Sequence, residues 1–180
     1  MKKYLILILS VISLTVFSQT ESGDTPISRV YVGANFGLQF GNFTMIDISP
    51  LAGYNLTNWL SAGIGGTYMF INFRSQSQNY NTNFYGIRGF ARGLIGQQFF
   101  LHSEYELLNG EKLLLNQSGS LNLQRTWQPS FWVGGGYRTP AGNNSFFTFT
   151  LLYNLLDTPD SFYGNPITAR VGYIFGLFRN

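Results

Sequence analysis

Residues 30–41 read Val30-Tyr31-Val32-Gly33-Ala34-Asn35-Phe36-Gly37-Leu38-Gln39-Phe40-Gly41. Every even position is apolar, and every odd position is polar, amphipathic or glycine. An extended strand turns successive side chains to opposite faces, so this segment has one greasy face and one small, polar face. The same two-residue period returns along the rest of the chain. It predicts eight strands: Val30–Gly41, Thr44–Tyr54, Trp59–Phe73, Phe84–Gly96, Phe99–Leu108, Arg125–Arg138, Phe146–Leu155 and Ile167–Phe178. Eight strands of about ten residues make the smallest transmembrane barrel.

The polarity of the two faces decides which kind of barrel. Ile46, Ile48, Ile64, Ile87, Leu101, Phe149, Leu151 and Val171 share the apolar face, while glycines, Thr, Arg and Glu share the other. A soluble carrier barrel would need the reverse, with its apolar side chains around an internal ligand. The expected fold class is therefore all-β, an eight-stranded antiparallel up-and-down transmembrane β-barrel with a polar interior filled by side chains. Tyr54, Trp59, Trp127, Tyr137 and Tyr153 fall near the ends of outward faces, where an aromatic girdle belongs.

Composition agrees. Aromatics are 17 % of the 180 residues and charged residues only 11 %, against about 25 % charged in an ordinary soluble domain. Residues 1–18 carry Lys2-Lys3, an apolar run from Tyr4 to Phe17 and a small residue at Ser18, the pattern of a secretory signal peptide. That run is shorter than the roughly 20 residues of a spanning helix. Residues 19–29 read as a short periplasmic lead and 30–180 as the barrel. Without Lys2 and Lys3, 9 basic residues face 8 acidic ones, so the basic balance gives no reason to expect nucleic acid. The lack of cysteine excludes disulfides, a thiol nucleophile and a cysteine-linked lipid anchor.

The connectors alternate in length. Asn55–Asn58, Gln97–Gln98 and Thr139–Asn144 read as short turns; Arg74–Asn83, Asn109–Gln124 and Asp157–Asn165 read as longer polar loops, with a short first loop near Asn42. Short periplasmic turns with longer outer loops is an outer-membrane arrangement. The run Leu113-Leu114-Leu115 inside the second long loop suits either a partner or a strand continuing above the membrane.

Seven ionisable residues face inward: Asp47, Arg88, Arg92, His102, Glu104, Glu106 and Arg170. Arg88, Arg92, Glu104 and Glu106 lie on two strands joined by a tight turn, close enough to pair across the hairpin. They could form a proton- or ion-handling site, or a hydrolytic one around His102. The alternative, favoured by the inward glycines, is a lumen filled by mutually paired side chains. A Ser–His–acid site requires a serine within reach of the histidine. Ser103 points to the face opposite His102, and Ser130 lies at another height. No catalytic residue, cofactor or metal ligand set is expected. Gly134-Gly135-Gly136 sits within a strand and signals packing, not a phosphate cradle.

The eight alternating segments, the strand–turn–strand run Gly53-Tyr54-Asn55-Leu56-Thr57-Asn58-Trp59-Leu60 and the aromatic-ended last strand Val171–Phe178 together resemble the small outer-membrane β-barrel superfamily, which includes OmpA-like and OmpX-like barrels. The resemblance implies outer-membrane lipid as surroundings and insertion by the barrel assembly machinery. No segment of the peptidoglycan-binding kind is present, so anchoring of the OmpA sort is not expected. Two roles stay open, a structural or surface-interaction barrel acting through its loops and an accessory subunit of a larger outer-membrane complex, with a lipid-modifying outer-membrane enzyme ranked below both. For the second, outward Gly66, Gly89, Gly93 and Gly135 would let an outer-membrane protein partner approach.

Overall fold

The computed structural model describes residues 29–39, 43–74, 79–115, 121–142, 144–158, 161–163 and 165–177, with the backbone alone at 38–39, 43–45, 71–74, 79–81, 112–115 and 121–123. The expected signal peptide and almost all of the lead lie outside the described residues. The strands are β1 (Val30–Gln39), β2 (Phe43–Asn55), β3 (Leu60–Arg74), β4 (Asn79–Ile95), β5 (Phe99–Leu115), β6 (Leu121–Gly142), β7 (Ser145–Asn154) and β8 (Ile167–Gly176). Each pairs antiparallel with the next, and β1 pairs with β8 from Tyr31↔Gly176 to Gly37↔Arg170, closing the barrel. Closure leaves the wall without an unpaired edge, which a sheet in lipid requires.

The side chains divide by face as the alternation predicts. Ile64 is 72 % exposed on the outside and Trp132 0 % exposed within. The exterior is a sleeve of Ile, Leu, Phe, Tyr and Val, and buried Asp, Glu, Arg, His, Ser and Thr line the interior. This is a protein solvated by hydrocarbon outside and by its own polar groups inside, the polarity of a membrane-spanning barrel. Along β6, Trp127 and Tyr137 stand ten residues apart on the outer face. That is about 33 Å of strand at 3.3 Å per residue, and about 25 Å along the axis at a tilt near 40°, the height of a lipid-facing apolar band. Trp127 meets Tyr85 edge-on, ring centroids 6.2 Å apart, and Tyr137 meets Phe99 at 5.4 Å. Tyr153 is exposed near the end of β7, and Tyr54 and Trp59 near the opposite rim.

Two of the expected loops are largely strand. β4 already begins at Asn79, paired with Arg74. β5 and β6 continue in register from Asn109↔Trp127 to Leu115↔Leu121, so Leu113–Leu115 extend a strand. The reason is physical: above the lipid neither face need be apolar, so the alternation ends while the backbone ladder continues. Likewise β6 runs through Thr139 to Gly142, with a register shift between Pro140 and Gly142 and φ +143° at that glycine. The connection after β7 remains a loop, but part of it enters the barrel, as described below.

Glycine permits close approach of neighbouring strands on the inner face of the wall. A Cβ on Gly134 would collide with the backbone of Leu151 and Leu152, whereas Gly89 and Gly93 face open space. Gly134→Ala is expected to lower stability by about 1–3 kcal/mol through forced backbone displacement. Gly93→Ala should leave it unchanged or slightly raised. Urea unfolding of the two variants side by side in lipid vesicles checks the contrast.

A buried charge layer as the candidate functional site

Two apolar clusters bracket the interior. Toward the loop end Met69, Phe84, Leu108, Trp132, Leu152 and Tyr163 pack together, with Phe162 against them. Toward the turn end Tyr31, Leu51 and Phe90 pack with Ile174. Asp47, Arg88, Glu104, Glu106 and Arg170 lie between them, while Arg92, two residues past Phe90 toward the turn on β4, and its cross-strand partner His102 lie at the turn-end cluster; all seven are at most 8 % exposed.

Glu104 on β5 is the hub. Its Oε1 accepts from Arg170 Nη1 at 2.8 Å and from Arg88 Nη1 at 3.5 Å, and its Oε2 lies 3.2 Å from His102 Nε2. Arg170 on β8 also faces Asp47 on β2, Nε to Oδ2 3.6 Å. Ser49, two residues along β2, donates its hydroxyl to Asp47 at 2.5 Å. Here local sequence sets the geometry. Pro50 has no N–H, and the β2–β3 ladder lacks pairs at Ser49 and Pro50. Beside that interruption the Ser49 carbonyl accepts from Arg88 Nη2 at 3.2 Å.

Arg92 Nε donates to His102 Nδ1 at 3.1 Å. An arginine can only donate, so Nδ1 must be the acceptor and Nε2 carries the proton toward Glu104. His102 is therefore neutral in this arrangement, with both nitrogens engaged. The Arg92 guanidinium also lies over Phe90 and Phe100, 5.4 and 5.0 Å from their centroids. Three carboxylates (Asp47, Glu104, Glu106) thus balance three guanidiniums (Arg88, Arg92, Arg170) in a layer of no net charge.

Glu106 stands opposite Arg88 in the ladder, yet it takes its bonds from neutral donors. Thr67 Oγ1 and the Tyr163 hydroxyl each donate at 2.5 Å, and Trp132 Nε1 donates at 3.3 Å. Tyr163 belongs to the β7–β8 connection, which the sequence marks as a polar outer loop. It is instead 2 % exposed, its ring edge-on to Trp132 with centroids 4.7 Å apart. Burial, and next the Glu106 charge, raise its phenol well above the ordinary tyrosine value, so it stays a donor. The pair Phe162-Tyr163 inside a polar stretch was the available signal. Thr67, Ser49 and the Trp132 indole N–H gave none beyond their inward phase.

Ser103 and Ser130 both stand away from His102. Ser103 lies on the opposite face of β5, and Ser130 pairs with Glu106 while His102 pairs with Gly134, four residues along β6. Among the described residues no group of three or more His, Cys, Asp and Glu is placed to hold a metal ion.

No family model and no curated protein matches the sequence. Among solved structures the chain is similar to the N-terminal β-barrel domain of Pseudomonas aeruginosa OprF, with 15 % identity over 83 % of this chain and 97 % of that one and a TM-score of 0.45. The barrel assignment itself rests on the eight closed ladders.

Proposed function

We propose that this chain is an outer-membrane β-barrel with a filled lumen, serving a structural or surface-interaction role at its loop end, without an open channel and without a catalytic site. The observation that carries this reading is the inverted polarity: a hydrocarbon sleeve outside and a charge-balanced, side-chain-filled layer inside. Apolar clusters also pack inside the barrel toward its loop end and its turn end. The export pattern at the N-terminus supports delivery across the inner membrane. The β3–β4 and β5–β6 hairpins both continue past the end of the β4–β5 ladder at Tyr85↔Asn109 and present structured surface at the loop end.

The sleeve is tested by placing a charge on it. Leu151 is 60 % exposed midway along β7, so Leu151→Arg is expected to cost about 2–4 kcal/mol in a lipid bilayer. Gln124→Arg, on the exposed hairpin, should change stability by no more than about 0.5 kcal/mol. Equal costs in vesicle unfolding would overturn the membrane reading. Extraction in mild detergent as a compact monomer supports a self-standing barrel; a stable large assembly would favour the accessory-subunit role.

A further inference from the structure

At the turn end, below the charge layer, the barrel opens into a cavity of about 90 Å³. Its lining includes Arg92, Arg138, Asn58, Trp59, Leu60 and Phe100, and among the described residues lining it there is no Asp or Glu. Arg92 is only 8 % exposed. Its Nε is spent on His102, and no described carboxylate lies within ion-pair distance of it. The balancing acids belong to the layer above, with Glu104 committed to Arg170, Arg88 and His102. Arg138 stands at the rim, its Nε donating to the Gln97 carbonyl at 2.9 Å and its guanidinium lying 4.6 Å from the Phe146 ring centroid. The cavity is therefore a pocket with aromatic and aliphatic walls, one cation in its floor and a second at its mouth.

With its Nε held by His102 and its Cζ near the Phe90 and Phe100 rings, the Arg92 guanidinium is confined in place, and a guanidinium fork can hold an oxyanion through two parallel hydrogen bonds. Apolar walls around a few placed polar groups are how small-molecule sites are built. We infer that this vestibule binds an organic oxyanion, a carboxylate or a phosphate monoester, with its charged head on Arg92 and its apolar body against Phe100, Phe146 and Ile174. Arg138 gathers such anions at the mouth. The site is reached from the turn end, opposite the loops proposed for surface interaction.

Calorimetric titration of the full folded chain in a neutral sugar-detergent micelle tests this with three probes sharing one ring: benzoate, phenyl phosphate and phenol. Expected is saturable binding of at least one anion, tenfold or more tighter than phenol, and the better of the two identifies the head group. Arg92→Gln should weaken that anion at least tenfold. Should that variant fail to fold, Asn58→Asp serves in its place. It puts a carboxylate on an exposed turn residue at the mouth and should weaken the anions several-fold while leaving phenol unchanged. Binding of phenol equal to the anions, or anion binding indifferent to both substitutions, would overturn the proposal.

Discussion

Glu104→Gln is expected to destabilise the barrel by about 3–5 kcal/mol, the usual result of removing one partner from a buried ion pair. The side chain is 1 % exposed and three groups converge on it, Arg170 at 2.8 Å, His102 at 3.2 Å and Arg88 at 3.5 Å. Glutamine keeps the shape but removes the charge, and its amide must turn two N–H donors toward groups that themselves donate. Arg170 has no spare acceptor, since its buried Nη2 has no protein partner and Asp47 lies 3.6 Å from its Nε. The measurement is urea unfolding in lipid vesicles, followed by the loss of heat-resistant compact migration. Combining Glu104→Gln with Arg88→Met should recover part of the loss, because the surplus cation leaves with the anion. A cost below about 1 kcal/mol for the single variant would mean that water screens the layer, and the filled-lumen reading would fall with it.

Why the layer was legible, and where legibility ended, follows from what a two-residue period encodes. It gives the face of each side chain as soon as the segment is recognised as strand. Asp47, Arg88, Arg92, His102, Glu104, Glu106 and Arg170 could therefore be placed inside from sequence alone. It does not say which inward neighbour a long side chain will choose. Arg88 is directly opposite Glu106 in the β4–β5 ladder, but its guanidinium reaches the diagonal Glu104 and the Ser49 carbonyl across the lumen. That choice depends on the twist of the wall and on a ladder interruption at Pro50, neither of which alternation records. Strand ends escape the period for a related reason. The apolar period reports the lipid, so it stops at the lipid boundary, whereas the backbone pairing of β4, β5 and β6 continues past it. Loops carry no period at all, so the aromatic pair Phe162-Tyr163 in a polar stretch marks an apolar site there without giving its inward turn.

Tyr163→Ala is expected to cost about 3–5 kcal/mol, the range for truncating a fully packed aromatic, because it removes both the contact with Trp132 and a hydrogen bond to Glu106. Tyr163→Phe separates the two effects. The ring stays and the hydroxyl goes, for an expected loss of about 1.5–3 kcal/mol, the worth of a hydrogen bond to a charged group. Glu106 still has Thr67 and Trp132 as donors, which holds the loss within that range. The pH dependence has a definite sign. The phenol is raised in the folded chain, so above about pH 10 the unfolded chain loses this proton first. The folded state then binds more protons, and stability falls with rising pH. The advantage of wild type over Tyr163→Phe is thus complete below pH 10 and shrinks above it; a constant difference at pH 8 and pH 11 would contradict the buried hydrogen bond. Conductance across a planar bilayer then decides what closes the barrel. Tyr163→Ala loosens the inserted loop but leaves Glu104, Arg88, Arg170 and Asp47 paired beneath it, so no increase in ion passage is expected. A channel opening in that variant would show that the loop, and not the charge layer, is the seal.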